Sequence, residues 1–150
     1  MISNAVANKQ EKLSQHFTLG ELCKTKTGIE NVPNEEQVNN LKRLCRWLEE
    51  LRRRWNGLYG DGDDPIIINS GFRSPEVNKA VGGWSQSNHL TGCAVDIRCI
   101  GIEQAIRYAT LLLDIEDNPA RQQCNRWLTH GFIERIKQGK YKKIIKDLMA

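Results

Sequence analysis

The chain has 150 residues, of which 39% are hydrophobic and 27% are charged, and its formal net charge is +4. This length suits one domain with its own core, and no apolar run approaches the ~20 residues of a transmembrane helix. Residues 1–15 are polar and lack an apolar h-region, which predicts a flexible arm, no secretory signal and a cytoplasmic location. The remainder, 16–150, is expected to form a single domain with an atypical tail over 116–150.

The positive charge is concentrated in two places, Arg52–Arg54 and the lysine-rich segment 137–146. Solvated helix faces are the ordinary explanation for such runs. Attraction to nucleic acid or another anionic polymer is the functional alternative. Because no helix-turn-helix or RNA-binding signature accompanies the basic residues, a nucleic-acid partner is disfavoured.

Five cysteines occur, and none belongs to a CxxC pair. The odd count, the irregular spacing and the lack of a secretory signal predict reduced and mostly buried thiols. Cys93 lies inside the motif described below, where the role of a small structural residue is the more ordinary one.

Turn residues and hydrophobic periodicity divide the chain into short elements. Thr18 and Glu21 have the spacing of a capping box and predict a short helix. Asn34 is expected to cap a long amphipathic helix over 35–55, because leucines recur there at helical spacing. The pattern further predicts, in order, a strand over 66–70, a turn over 71–75, a short helix over 76–81, a polar loop over 85–92, a strand over 93–98 and a helix over 102–113.

The stretch with the most chemical content is 87–96, in which His89 lies in a turn and Asp96 on a predicted strand. Imidazole nitrogen and carboxylate oxygen are both good zinc ligands, and Gly92 between them allows a sharp bend. A catalytic zinc takes three protein ligands and keeps a fourth position open for water. A His and an Asp at this spacing are by themselves more often surface residues, so the spacing alone does not establish a metal site.

The wider pattern around these two residues is more specific. The sequence Ser-Asn-His-Leu-Thr-Gly-Cys-Ala-Val-Asp at 87–96 resembles the signature of the M15 peptidases, which are D-alanyl-D-alanine carboxypeptidases and related phage endolysins. Upstream, Ser-Gly-Phe-Arg-Ser-Pro at 70–75 resembles a second motif of the same group. The two motifs occur in the expected order, and the resemblance covers roughly residues 16–115.

The resemblance implies an α+β fold in which a small, largely antiparallel sheet packs against helices, with a metal cleft between the sheet and the 71–92 loop. It implies that His89 and Asp96 bind Zn2+. It also implies that Arg73 steadies a developing oxyanion or a substrate carboxylate, which suits the planar fork of a guanidinium. Ser87 is implied to hydrogen-bond near the substrate or the ligands. The alternatives are a structural, turn-stabilising role for Arg73 and a simple loop cap for Ser87.

The M15 pattern continues with a late His ligand that follows a catalytic Glu or Asp, and this chain departs from it. Trp127 and His130 are spaced one residue too widely, and no acid stands just before His130. If the tail is remodelled, His130 is the expected third zinc ligand, with Glu134 or Glu116 as the general base that a metallohydrolase needs. There are two alternatives: the final segment of the family is lost, or a partner chain completes the site. His16 is a weaker candidate for the third ligand than His130.

The resemblance therefore implies a zinc-dependent peptidase that cleaves peptidoglycan stem peptides, as a D,D-carboxypeptidase or an endopeptidase. Without a secretory signal, such an enzyme is expected to reach the cell wall by release or by phage delivery. The alternative is a catalytically inactive relative that binds cell-wall peptide or serves as a phage or prophage structural module. A basic nucleic-acid-binding protein is the third hypothesis, supported by the basic runs alone.

Overall fold

The computed structural model of the protein describes residues 8–116. The short two-stranded sheet and the helices around it give an α+β fold, as predicted. The elements in chain order are α1 (Leu19–Leu22), α2 (Glu35–Leu58), β1 (Ile68–Ser70), α3 (Pro75–Ala80), a 3-10 helix (Asn88–Thr91), β2 (Asp96–Ile97) and α4 (Gly101–Glu116).

The long helix α2 is the main support of the domain. It begins with a capping box in which Asn34 Oδ1 accepts from the Gln37 amide at 2.8 Å and Gln37 Oε1 accepts from the Asn34 amide at 2.8 Å. The helix ends at Leu58, one turn beyond the predicted end. Near that end Trp55 is buried and packs edge-on against Tyr108 of α4, with ring centroids 4.9 Å apart. Its apolar stripe forms the centre of the core, with fully buried side chains at Leu41, Leu44, Leu48 and Leu51.

The sheet is small because only two short segments pair. β1 and β2 are antiparallel, with Ile68 opposite Ile97 and Ser70 opposite Asp96. Ile68 and Ile97 are buried in the core. The predicted strand over 93–98 is shorter in the structure, because the Cys93 amide donates to the Asn88 carbonyl at 3.1 Å and so belongs to the preceding turn.

Residues 8–15, the part of the predicted arm that the structure describes, make backbone contacts with the residues that follow them. Lys12 forms an antiparallel bridge with Thr18, and the Leu13 amide donates to the Phe17 carbonyl at 2.8 Å. The Leu13 side chain is buried in the core because this turn points it inward. Within the described residues, no helix is long and apolar enough to cross a membrane.

Candidate metal and substrate site

The loop between β1 and α3 is held by one amide side chain. Asn31 Nδ2 donates to the carbonyls of Cys23 and Phe72, each at 2.8 Å, and its Oδ1 accepts from the Ser74 amide at 2.6 Å. The Phe72 amide donates to the Leu22 carbonyl at 2.7 Å. These bonds fix the backbone on both sides of Arg73, so the position of this arginine is set by the fold.

His89 lies in the 3-10 helix and is only 3% exposed. Its Nδ1 is 2.6 Å from the Gly71 carbonyl oxygen. Because a carbonyl oxygen can only accept, Nδ1 must donate, and the neutral imidazole then carries its lone pair on Nε2. This is the arrangement that metal-binding histidines show, in which one nitrogen is held by a backbone acceptor and the other binds the metal.

The turn that carries His89 is seated on the N-terminal part of α2. Gln37 Nε2 donates to the Leu90 carbonyl at 3.1 Å, and Asn40 Nδ2 donates to the Thr91 carbonyl at 2.9 Å. Gly92 ends the turn with a φ of 80°, and a Cβ at this position would lie 2.7 Å from the Gln37 carbonyl oxygen. The left-handed backbone and the close approach to α2 together require glycine here.

Arg73 connects the two predicted zinc ligands. Its backbone amide donates to the His89 carbonyl at 3.0 Å, and its Nη2 is 3.5 Å from Oδ2 of Asp96. The guanidinium also donates through Nε to Ser70 Oγ at 3.3 Å and through Nη1 to Asn78 Oδ1 at 3.2 Å. Burial lowers the pKa of Arg73 and the Asp96 carboxylate opposes this shift, and the side chain stays charged because arginine titrates far above neutral pH.

The segment Ser70–Arg73 therefore contacts both His89 and Asp96. Ser87 caps the 3-10 helix, because its Oγ accepts a hydrogen bond from the His89 amide at 3.2 Å. This contact is the loop cap that was the alternative to its substrate role.

The donor atoms fit two of the three protein positions of a catalytic zinc site, a histidine nitrogen and a carboxylate oxygen. Within residues 8–116, no group of three His, Cys, Asp or Glu side chains is placed to hold a metal ion. His130 and Glu134, the expected third ligand and general base, lie outside the described residues. The metal cleft and the ligand roles remain predictions.

Two buried or half-buried amides, Asn31 and Asn78, were missed by the sequence analysis. Asn78 is 4% exposed and hydrogen-bonds the Arg73 guanidinium. Its place three residues after Pro75 in the second motif was the available signal. Asn31 had none, because its partners lie far away in sequence.

The described cysteines agree in part with the prediction of buried thiols. No disulfide joins them to one another; Cys45 is buried, while Cys23, Cys93 and Cys99 are half-buried. Burial raises the pKa of Cys23 and of Cys45 to about 12, which favours the protonated thiol over the nucleophilic thiolate.

Comparison with known proteins gives the geometry a context. A 36-residue segment of this chain is 53% identical to the zinc D-Ala-D-Ala carboxypeptidase of Streptomyces albus G. The matched segment makes up 24% of this chain and 14% of that protein. No solved structure matches the chain significantly. The model of the family described as Peptidase M15 matches residues 15–118, well over half of the sequence. The chain therefore belongs to the Peptidase M15 family.

Proposed function

We propose that this protein is a zinc-dependent peptidase that hydrolyses D-Ala-containing amide bonds of peptidoglycan stem peptides, as a D,D-carboxypeptidase or an endopeptidase. The observation that carries the proposal is the common anchoring of His89 and Asp96 on the segment that contains Arg73. The M15 membership supports a peptidase, and the zinc D-Ala-D-Ala carboxypeptidase of Streptomyces albus G suggests the metal and the substrate class.

In this proposal His89, through Nε2, and Asp96 would hold the zinc ion, and His130 would be the third ligand. A bound zinc ion supplies a Lewis acid that polarises the scissile carbonyl and lowers the pKa of water. The Gly71 carbonyl keeps the His89 ring in the tautomer that this role requires, because its oxygen accepts a hydrogen bond from the Nδ1–H group.

Arg73 binds the negative charge of the substrate. Its guanidinium is already oriented by Ser70 and Asn78, so it loses little freedom when it meets an anionic oxygen. That oxygen is either the developing oxyanion or the terminal carboxylate of the stem peptide. The proton of the attacking water goes to a carboxylate oxygen, for which Glu134 is the proposed acceptor.

Zinc content and cleavage together test the proposal. The purified full chain is analysed for zinc by elemental analysis and then incubated with a stem peptide ending in D-Ala-D-Ala, with and without a chelator. We expect stoichiometric zinc and release of D-Ala that the chelator abolishes. A folded protein that neither retains zinc nor cleaves the peptide would contradict the proposal.

A catalytically inactive relative that binds cell-wall peptide is the second candidate. It is favoured by the sequence around His130, where no acid stands just before the histidine and the spacing from Trp127 departs from the M15 pattern. Binding of the same stem peptide without cleavage, at saturating zinc, would establish this candidate in place of the enzyme.

A further inference from the structure

The loop that joins α3 to the 3-10 helix carries an exposed tryptophan. Trp84 is 69% exposed, and Val81, on the other side of the Gly82–Gly83 pair, is 51% exposed. Single exposed apolar residues are common on protein surfaces and need no functional explanation. The backbone that carries Trp84 distinguishes it from such residues, because this backbone is fixed by the side chain that also positions Arg73.

The carbonyl of Trp84 accepts two hydrogen bonds, from Asn78 Nδ2 at 2.8 Å and from the Ser87 amide at 3.0 Å. Asn78 is a buried amide, and its Oδ1 accepts from Arg73 Nη1 at 3.2 Å. The Asn78 side chain therefore hydrogen-bonds both the guanidinium of Arg73 and the backbone of Trp84.

Gly83 shows how closely the two approach. A Cβ on Gly83 would overlap with Asn78 Oδ1 and would lie 3.0 Å from Arg73 Nη1. Gly83 therefore lies close to both the Asn78 amide and the Arg73 guanidinium, and a larger residue would have to displace the buried Asn78 side chain. The indole, which extends several ångströms from its backbone, is carried on a loop that borders Arg73 on one side and leads into His89 on the other.

We propose that Trp84 is a substrate-contacting residue that binds an aliphatic part of the stem peptide beside the group held by Arg73. This inference rests on the proposed function, because it takes the stem peptide as the ligand. A planar indole offers apolar contact area at low entropic cost, and its anchored backbone reduces the cost of ordering further. Arg73 binds the charged part of the peptide, and Trp84 covers the adjacent apolar part.

The test compares Trp84→Ala, Trp84→Phe and a control, Leu58→Ala, in the full chain. Leu58 is 66% exposed and ends α2, about 27 Å along the helix axis from Asn40, which contacts the site turn. We measure kcat and KM with a sugar-free stem peptide, and binding of a fluorescein-labelled copy by polarisation. Thermal melts verify folding, which Trp84→Ala leaves intact because the side chain is mostly exposed.

We expect Trp84→Ala to raise KM and the dissociation constant about tenfold with little change in kcat. Trp84→Phe retains most of the affinity, and Leu58→Ala equals the wild type. A wild-type protein that binds the peptide without cleaving it contradicts the proposed function, while the binding comparison still decides the role of Trp84. Unchanged binding by Trp84→Ala overturns the inference alone, and a wild type that does not bind the peptide overturns both. If Trp84→Ala loses affinity only for a stem peptide that carries the disaccharide, the indole binds the sugar, and the inference is also overturned.

Discussion

The guanidinium of Arg73 lies 3.5 Å from the carboxylate of Asp96, and both side chains are shielded from most of the solvent. Strand pairing places Asp96 opposite Ser70, three residues before Arg73. Register and loop geometry thus bring a permanent cation against a proposed metal ligand. The arrangement leaves Arg73 oriented by three neighbours before any substrate arrives.

Replacing Arg73 by Lys tests the value of this orientation. Lysine keeps the positive charge and lacks the planar fork that contacts Ser70, Asn78 and Asp96. We expect kcat/KM for stem-peptide cleavage to fall about 10²-fold, because one donor to a developing oxyanion is worth that much or more. Zinc content stays stoichiometric, since Arg73 is not a ligand.

Arg53→Lys is the matched control, because Arg53 is 70% exposed and pairs with Glu50 on α2. Its kcat/KM should equal that of the wild type. Equal activity of Arg73→Lys and the wild type would leave Arg73 with a structural role in the turn.

The three histidines of the chain give a graded test of the metal site. His89→Ala should abolish zinc binding, because it removes the nitrogen that the Gly71 carbonyl orients. His130→Ala should weaken zinc affinity at least about tenfold if the tail supplies the third ligand. Zinc content and affinity are measured by elemental analysis and competition with a chelating dye.

His16→Ala serves as the control in the same series. His16 Nδ1 lies 2.6 Å from Glu49 Oε1, so this ring already has a hydrogen-bond partner. Its replacement should leave zinc affinity unchanged. An affinity that His130→Ala also leaves unchanged would eliminate His130 as a ligand.

The helices and their caps could be predicted from the sequence, because the signals are local. The capping boxes at Thr18 and Asn34 depend on residues three positions apart, and the leucine stripe of α2 repeats within a single helix. The packing of residues 8–15 and the small extent of the sheet could not be predicted in the same way. Both features depend on contacts between segments that are separate in the sequence. Short polar stretches carry no local pattern that predicts such contacts.

The site was partly predictable for the same reason. His89, Asp96 and Arg73 occur in recognisable motifs, whereas Asn31 acts on Phe72, 41 residues away. A half-buried asparagine in a polar loop has no sequence pattern that distinguishes it from a solvated one. Its role becomes visible only when its three hydrogen bonds are seen together.

Asn31→Ala tests that role. The substitution leaves the Cys23 and Phe72 carbonyls and the Ser74 amide without this partner. We expect the free energy of unfolding to fall by about 2–4 kcal/mol, as three hydrogen bonds are lost in a partly buried loop. Denaturant titration measures the change, with Asn40→Ala as the control.

Asn40 donates to the Thr91 carbonyl at an exposed position, where water can replace the amide. Its loss should cost no more than about 0.5 kcal/mol. Similar costs for the two variants would show that Asn31 does not clamp the loop.

Glu50 gives a pH-dependent prediction away from the site. Hydrogen bonds from Arg53 and Arg54 hold the pKa of Glu50 at about 2, below its ordinary value of 4.5, against an opposing effect of burial. Because the folded pKa is the lower one, the stabilisation is fully present above about pH 4.5. It is lost as the pH falls through this range to about 2, where the carboxyl protonates in the folded state as well.

Glu50→Gln should therefore lower the free energy of unfolding at pH 7 by about 0.5–1 kcal/mol, a small value because Arg53 is exposed and water screens the pair. The difference from the wild type should be constant from pH 7 to 5 and should shrink between pH 4.5 and 2. Urea titrations at a series of pH values measure it. A difference that persists unchanged at pH 2 would mean that packing of the glutamate, and not its charge, stabilises this part of α2.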